Sequence, residues 1–200
     1  MKKHITKIIL TTIICIGAFN AQAQDVRPFR IGLKVGLPIY IGGTIEYVLP
    51  SEKNRVGIVA DFSSLLIDGG TRNYNYTYWS LGTNIYLNKE SIARGPYLGV
   101  SYANLHFMVN YVGITSGTNI NGTGAVKVNV PQVQLRFGIK TGKGAFFLQP
   151  EIGYGISSFP SNNTLNVTYP NGQTLNVIQP FDVPRNAFTL IMNVTLGVIF

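Results

Sequence analysis

The stretch 188-FTLIMNVTLGVIF-200 alternates large apolar residues with residues that are mostly smaller or more polar. The large apolar positions are Phe188, Leu190, Met192, Val194, Leu196, Val198 and Phe200. Successive side chains of a β-strand point to opposite faces, so this spacing predicts one long strand with an apolar face. The rest of the chain decides what covers that face.

The same period of two recurs in seven further stretches, and no helical period persists. These stretches are residues 29–37, 41–49, 56–63, 79–87, 98–103, 132–140 and 146–156. Polar turns such as "PSEKNR" and "TGKG" separate neighbouring stretches, which indicates consecutive hairpins. The sequence therefore predicts an all-β fold, an eight-stranded antiparallel up-and-down barrel.

The connections between these strands alternate in length. Links after the second, fourth and sixth strands are short, whereas residues 66–76, 110–129 and 157–186 form longer predicted loops. Short turns at one rim and long loops at the other are typical of a transmembrane barrel. The link around Pro38 is an exception, because it is short where a long loop is expected.

The last long loop contains two β-rich runs around Pro170-Asn171-Gly172, which predict a hairpin standing above the barrel. A ten-stranded barrel that inserts this hairpin into lipid is the alternative. The two runs are shorter than the roughly 9–11 residues that a spanning strand needs.

Residues 1–23 have the features of a secretory signal peptide, which would precede a single barrel domain at residues 24–200. A basic start and an apolar run over residues 8–19 lead to the small-x-small site Ala21-Gln22-Ala23. The apolar run is too short for a lasting transmembrane helix. The only cysteine, Cys15, lies in this segment, so the exported chain is predicted to have no disulfide.

Charge and hydropathy limit the partners of the exported chain. Without the three lysines of the signal peptide, thirteen basic and eight acidic residues remain, a net charge of +5. These charges are scattered, so no nucleic-acid partner is predicted. After residue 23 no apolar stretch reaches the roughly 18 residues of a spanning helix. An exported chain of this kind can enter a membrane only as a closed barrel.

The strand face opposite the apolar one is rich in glycine, serine, asparagine and glutamine and poor in charge, unlike most water-facing strands. Its charged residues are Arg30, Lys34, Glu46, Asp61, Arg136, Lys140 and Glu151. Buried ions must pair. We therefore predict a structural ionic core in the lumen, in which two cations, Lys34 and Arg136, contact three carboxylates. These carboxylates are Glu46, Asp61 and Glu151. The alternative places all these charges on the surface of a soluble barrel.

The residues offer little for catalysis or for binding a cofactor. His106 is the only histidine after residue 23, and no serine follows it to act as a nucleophile. One histidine without cysteine cannot form a tetrahedral zinc site, and Asp68 and Asp182 lack the spacing of a calcium loop. We predict no catalytic residue, no metal and no cofactor, so the protein is not expected to be an enzyme.

The closing strand resembles the C-terminal signal of outer-membrane β-barrel proteins through Val194, Leu196, Val198 and Phe200. Together with the leader, "IGLKVGLP" and "FLQPEIGYGIS", residues 24–200 resemble the small porin-like outer-membrane β-barrel family. This resemblance implies export to the outer membrane of a Gram-negative bacterium and contact with outer-membrane lipid. It also implies that the barrel-assembly machinery reads the four terminal positions.

Three functions are open at this point. The first is a membrane barrel with a plugged polar lumen that acts through long extracellular loops, in surface interaction or a structural role. Residues 126–130 and 165–177 would then add a strand to an extracellular partner. The second is a narrow porin-like channel for small solutes, although eight strands enclose little more than side chains. The third is a secreted soluble lipocalin-like barrel that binds a ligand.

Overall fold

The computed structural model describes residues 27–49, 55–70, 72–88, 93–116, 119–158, 162–180 and 186–200. The predicted signal peptide lies outside these residues. The strands are β1 (Phe29–Leu37), β2 (Tyr40–Val48), β3 (Val56–Asp68), β4 (Arg72–Tyr86), β5 (Gly95–Ser116), β6 (Asn119–Lys140), β7 (Phe146–Ser158), β8 (Asn162–Thr168), β9 (Thr174–Pro180) and β10 (Asn186–Ile199). Within the described ranges, no helix is long and apolar enough to cross a membrane.

Eight of these strands close into an antiparallel barrel. Strands β1 to β7 pair in chain order, β10 pairs with β7, and β10 also pairs with β1 from Arg30↔Ile199 to Leu37↔Met192. The predicted eight-stranded barrel is confirmed. The ten-stranded alternative is wrong, because β8 and β9 form a hairpin outside the ring that meets β6 only at residues 123–125.

Strands β3 to β6 continue well past their predicted ends. The expected loops at 66–76 and 110–129 are mostly paired strand, with β3 and β4 in register to Asp68↔Asn73 and β5 and β6 paired to Ser116↔Asn119. Those two loop predictions were wrong. We call residues 64–68, 72–78, 104–116 and 119–131, together with β8 and β9, the extension.

The apolar side chains change face where the barrel meets the extension. On β6, Val133 points outward and is 49% exposed, whereas Val130 points inward and is 4% exposed. The same change occurs on β4 between outward Trp79 and inward Tyr78. The cross-strand neighbours Phe62, Trp79, Asn104 and Pro131 mark this height on four adjacent strands, and we call them the switch row.

The short β1–β2 link at this rim folds into the barrel mouth. Ile39 is 1% exposed. The Ser63 hydroxyl lies 2.6 Å from the carbonyl oxygen of Ile39 and 2.7 Å from that of Ile41. The Tyr76 hydroxyl donates to the carbonyl oxygen of Pro38. This link is short because it caps the lumen and does not rise above the rim.

Candidate functional site

The barrel interior holds all seven charged residues of the inward strand faces. Each is 5% exposed or less: Arg30, Lys34, Glu46, Asp61, Arg136, Lys140 and Glu151. The period of two places them there, because their neighbours along each strand point to the opposite face. Burial of this many ions is tolerated only when they compensate one another.

Four of them form a central cluster, Lys34, Asp61, Arg136 and Glu151. The Lys34 ammonium lies 3.0 Å from Asp61 Oδ1 and 3.0 Å from Glu151 Oε1. The Arg136 guanidinium lies 3.2 Å from Asp61 Oδ2 and 3.6 Å from Glu151 Oε2. Two cations and two anions thus alternate, and the central cluster carries no net charge.

Neutral donors complete the central cluster. Ser80 Oγ donates to Asp61 Oδ2 at 2.9 Å. Asn193 Nδ2 donates to Glu151 Oε1 at 2.9 Å, and the Tyr97 hydroxyl donates to Glu151 Oε2 at 2.8 Å. The carboxylates therefore accept hydrogen bonds in addition to their ion pairs, which offsets part of the cost of removing them from water.

Glu46 belongs to a second cluster nearer the short turns. Its carboxylate pairs with Arg30 at 3.1 Å and with Lys140, and it accepts a hydrogen bond from the Tyr86 hydroxyl at 2.7 Å. The predicted contact of Glu46 with Lys34 and Arg136 is not the arrangement found. The period of two indicates the face of Arg30 and Lys140 but not their height along the barrel. Arg30 lies directly opposite Glu46 on the neighbouring strand.

Apolar layers lie above and below these charges. At the short-turn end, Val48, Tyr86, Ala93 and Tyr97 form a buried cluster. At the extension end, the buried residues Ile39, Tyr76, Tyr78 and Ala103 pack with Leu65, Leu105 and Phe107. The Tyr97 ring lies inside the barrel and is 0% exposed.

Interior aromatics occupy space that opposite glycines leave open. A Cβ on Gly138 would lie 2.5 Å from Cζ of Tyr97, and one on Gly197 would lie 2.5 Å from Cε1 and Cζ of Phe147. Covering a strand glycine with a cross-strand ring is a recognised way to keep a curved sheet filled. These two glycines therefore leave room for large interior rings, whereas Gly82 and Gly153 lie closest to backbone carbonyl oxygens of the neighbouring strand.

The exterior of the barrel is an apolar belt. Outward residues from all eight strands are 42–62% exposed: Leu33, Ile45, Ile58, Leu81, Val100, Leu135, Ile152 and Leu196. Monomeric soluble proteins do not expose a continuous apolar surface of this extent. An apolar outside around a charged inside is the polarity of a barrel in a bilayer and the reverse of the lipocalin-like alternative.

The residues predicted as an assembly signal lie on this belt at the seam strand β10. Val194, Leu196 and Phe200 point outward and are 47%, 62% and 56% exposed, while Val198 is half-buried. The strand is paired on both sides, with β1 and with β7. In the folded barrel these side chains face the surroundings, so their recognition by other proteins stays a prediction.

His106 lies on the outward face of the extension. Its Nδ1 is 2.6 Å from Oδ1 of Asn129, the residue opposite it on β6. Among the described side chains, no group of three or more His, Cys, Asp or Glu residues could hold a metal ion.

Comparison with known proteins identifies the fold. A major outer membrane protein from Thermus thermophilus superposes with a TM-score of 0.56 at 12% identity, covering 86% of this chain and 98% of that one. Acinetobacter baumannii CarO2 gives 0.44 at 14% identity, over 88% and 100% of the two chains. Acinetobacter baumannii CarO gives 0.45 at 13% identity, over 89% and 100%. No family model and no curated protein matches the chain.

The likeness to the Thermus protein shows that this chain has the fold of an outer-membrane β-barrel. This fold and the apolar belt agree with the predicted location in the cell outer membrane.

Proposed function

We propose that this protein is a non-conducting, non-enzymatic outer-membrane barrel that acts through its extension as an extracellular interaction surface. The observation that carries the first half is the closure of the interior. A channel keeps its lining residues in water, whereas Lys34 and Thr195 are 0% exposed and Gln134 is 1% exposed.

The layered interior supports a closed lumen at three heights. Ion pairs join β1, β3, β6 and β7 across the middle, and the two apolar clusters fill the ends. An eight-stranded barrel is just wide enough for its own side chains to fill it. A solute would have to displace paired ions to pass, so the porin-like alternative is disfavoured.

The extension supplies the surface for a partner, and its strand edges are the points of contact. Among the described strands, β9 pairs only with β8, so its other edge can accept a strand. Within the part of the chain that the structure describes, residues 126–130 of β6 pair with β5 on one edge alone. Asn166 to Thr168 of β8 are already paired on both sides. These three residues, which belong to the predicted segment 165–177, therefore cannot pair with a partner strand.

Planar-bilayer recording of the purified chain tests the closed lumen. We expect no conductance steps, and reproducible steps that persist at high dilution would overturn the proposal.

Binding of labelled protein to host cells or extracellular matrix tests the extension. Replacing residues 162–180 by a short Gly-Ser link is expected to abolish binding, with Lys143→Ala at the opposite rim as the control. Undiminished binding after the replacement would remove the extension from the proposal.

The same proposal includes recognition of β10 by the barrel-assembly machinery during biogenesis. Phe200→Ser is expected to lower the amount of assembled, heat-modifiable barrel in the outer membrane. Phe146→Ser is the matched control, because Phe146 is an outward aromatic near the same rim and is 71% exposed. Equal losses in the two variants would indicate a general need for interfacial rings and no specific signal.

A further inference from the structure

The outward face of the extension carries aligned polar side chains directly above the apolar belt. One step above the switch row lie Ser64, Thr77, His106 and Asn129, which are cross-strand neighbours. The next step holds Leu66, Asn75, Met108 and Lys127. The third step holds Asp68, Asn73, Asn110, Ala125, Asn166 and Asn176, across six strands. We call these steps the first, second and third polar rows.

Amides and hydroxyls predominate on this face, and Leu66, Met108 and Ala125 are its apolar members. Asp68 and Lys127 are its only fully charged side chains among the described rows. Strand surfaces that meet only water usually carry more charge, which protects against aggregation. Directly opposite residues on neighbouring strands have Cβ atoms about 5 Å apart, so the amides form a regular array of donors and acceptors.

The height of the rows restricts what can reach them within a membrane. Same-face residues are about 7 Å apart along a strand, and a tilt of roughly 40° places the third row about 15 Å above the switch row. A phospholipid headgroup layer adds only about 5–8 Å to each side of the hydrocarbon. Phospholipids therefore cover little beyond the first polar row, whereas lipids with saccharide headgroups would extend along all three.

We propose that the outward face of the extension binds the saccharide headgroups of glycolipids in the surrounding leaflet. The site is continuous with the apolar belt, which would hold the acyl chains of the same lipids. Sugar hydroxyls donate and accept hydrogen bonds, as do the amides of Asn73, Asn110 and Asn129. The Trp79 and Tyr102 rings, 5.8 Å apart between centroids, form an aromatic ledge at the boundary. The inference rests on the proposed extracellular placement of the extension.

Trp79 provides the measurement, because it is the only tryptophan of the chain and lies on the switch row. The folded full chain in phosphatidylcholine vesicles is titrated with rough-type lipopolysaccharide while Trp79 emission is recorded. Parallel titrations use lipid A without core sugars, phosphatidylglycerol, and free core oligosaccharide. The test variant combines Asn73→Ala, Asn110→Ala and Asn129→Ala. Asn88→Ala, at the short-turn rim, is the matched control.

We expect a saturable emission change with the core-bearing glycolipid and a much weaker response with the three other probes. The triple variant should bind about tenfold more weakly or worse, as expected for the loss of one or more hydrogen bonds, and Asn88→Ala should bind like the wild type. An equal response to lipid A, which has only a glucosamine disaccharide as its headgroup, would show that the core sugars are not recognised and would overturn binding along all three rows. Equal binding of free oligosaccharide, or an unchanged triple variant, would also overturn the inference. None of these outcomes depends on conductance or on binding to cells, so the proposed function stands or falls separately.

Discussion

Strands β4 to β6 each pass through two environments, the apolar belt and the extension, and the two halves are built with opposite polarity. Below the switch row, β5 points Leu98, Val100 and Tyr102 outward. Above it, Phe107 and Val109 point inward, and Asn110 points outward. Side chains alternate between the two faces along the whole strand. What changes, and what we call the phase of the pattern, is which face carries the apolar residues, because the medium outside changes from hydrocarbon to water.

The extension and the belt region of these strands are stabilised by different interactions. In the extension, water outside drives apolar side chains inward through the hydrophobic effect. In the belt, lipid is as apolar as leucine, so burying leucine inside would gain little. The interior is instead filled by ion pairs and hydrogen bonds, which are electrostatically stronger in a low-dielectric interior than in water.

Removing one central ion should have the largest effect. Lys34→Met leaves the Asp61 and Glu151 carboxylates with Arg136 as their only cation within the central cluster. Breaking a buried pair in this way costs about 3–5 kcal/mol of unfolding free energy. Urea unfolding in lipid vesicles, followed by heat-dependent gel mobility, measures the loss.

Two controls accompany that change. Lys34→Met combined with Glu151→Gln removes one charge of each sign and should recover part of the loss. Lys143→Met, on an exposed turn, should change stability by no more than about 0.5 kcal/mol. If Lys34→Met is as stable as Lys143→Met, the ionic core does not hold the barrel together.

An arginine on the outer face should cost much below the switch row and little above it. Leu135→Arg places a charge in the belt and is expected to cost about 2–4 kcal/mol near the bilayer centre. Asn129→Arg is on the same strand and the same face, six residues away, and should cost no more than about 0.5 kcal/mol. The same vesicle unfolding assay applies. Equal costs would place the membrane boundary elsewhere.

In the extension, a polar residue should destabilise the protein on the inner face and be tolerated on the outer face. Val128 is 5% exposed, so Val128→Asn buries an amide and is expected to cost about 1–3 kcal/mol. Lys127→Asn, its outward neighbour, should be nearly neutral. Hydrogen exchange of the β5 and β6 amides, read by mass spectrometry, would show whether the loss is confined to the extension.

The smallest effect is expected at the cap over the lumen. Ser63→Ala removes the hydroxyl that contacts the backbone oxygens of Ile39 and Ile41, at a cost of about 1 kcal/mol. The loss should appear as faster local exchange around Ile39 and not as lower global stability. Ser64→Ala, on the outward face, is the control and should leave that exchange unchanged.

The phase change explains which parts of the fold could be read from the sequence. Where one phase holds along a whole strand, as in residues 29–37 and 188–200, the strand was predicted within a residue or two of its observed bounds. The β8–β9 hairpin was also predicted, because Pro170-Asn171-Gly172 marks its turn. On β5 and β6 the alternation breaks at Asn104 and Pro131, and the prediction ended each strand there.

For the charged residues of the interior, too, the sequence predicts only part of the arrangement. The period of two gives the face of a side chain but not its height, so all seven charges were assigned inward while the partners of Glu46 were wrong. Height depends on the stagger between strands, which the turns set. The register of β1 with β2, which places Arg30 opposite Glu46, could have been found only from the structure of the link at Pro38.

The central cluster also has a consequence for the order in which the chain assembles. Lys34 on β1 and Glu151 on β7 are 117 residues apart, and β10 lies between their strands. The β6–β7 hairpin can already hold the Arg136–Glu151 pair, and strands β1 to β3 can hold the Lys34–Asp61 pair. The Lys34–Glu151 pair, which joins the two halves of the central cluster, forms only when the sheet closes at β1 and β10. Closure of the seam is therefore coupled to completion of the interior.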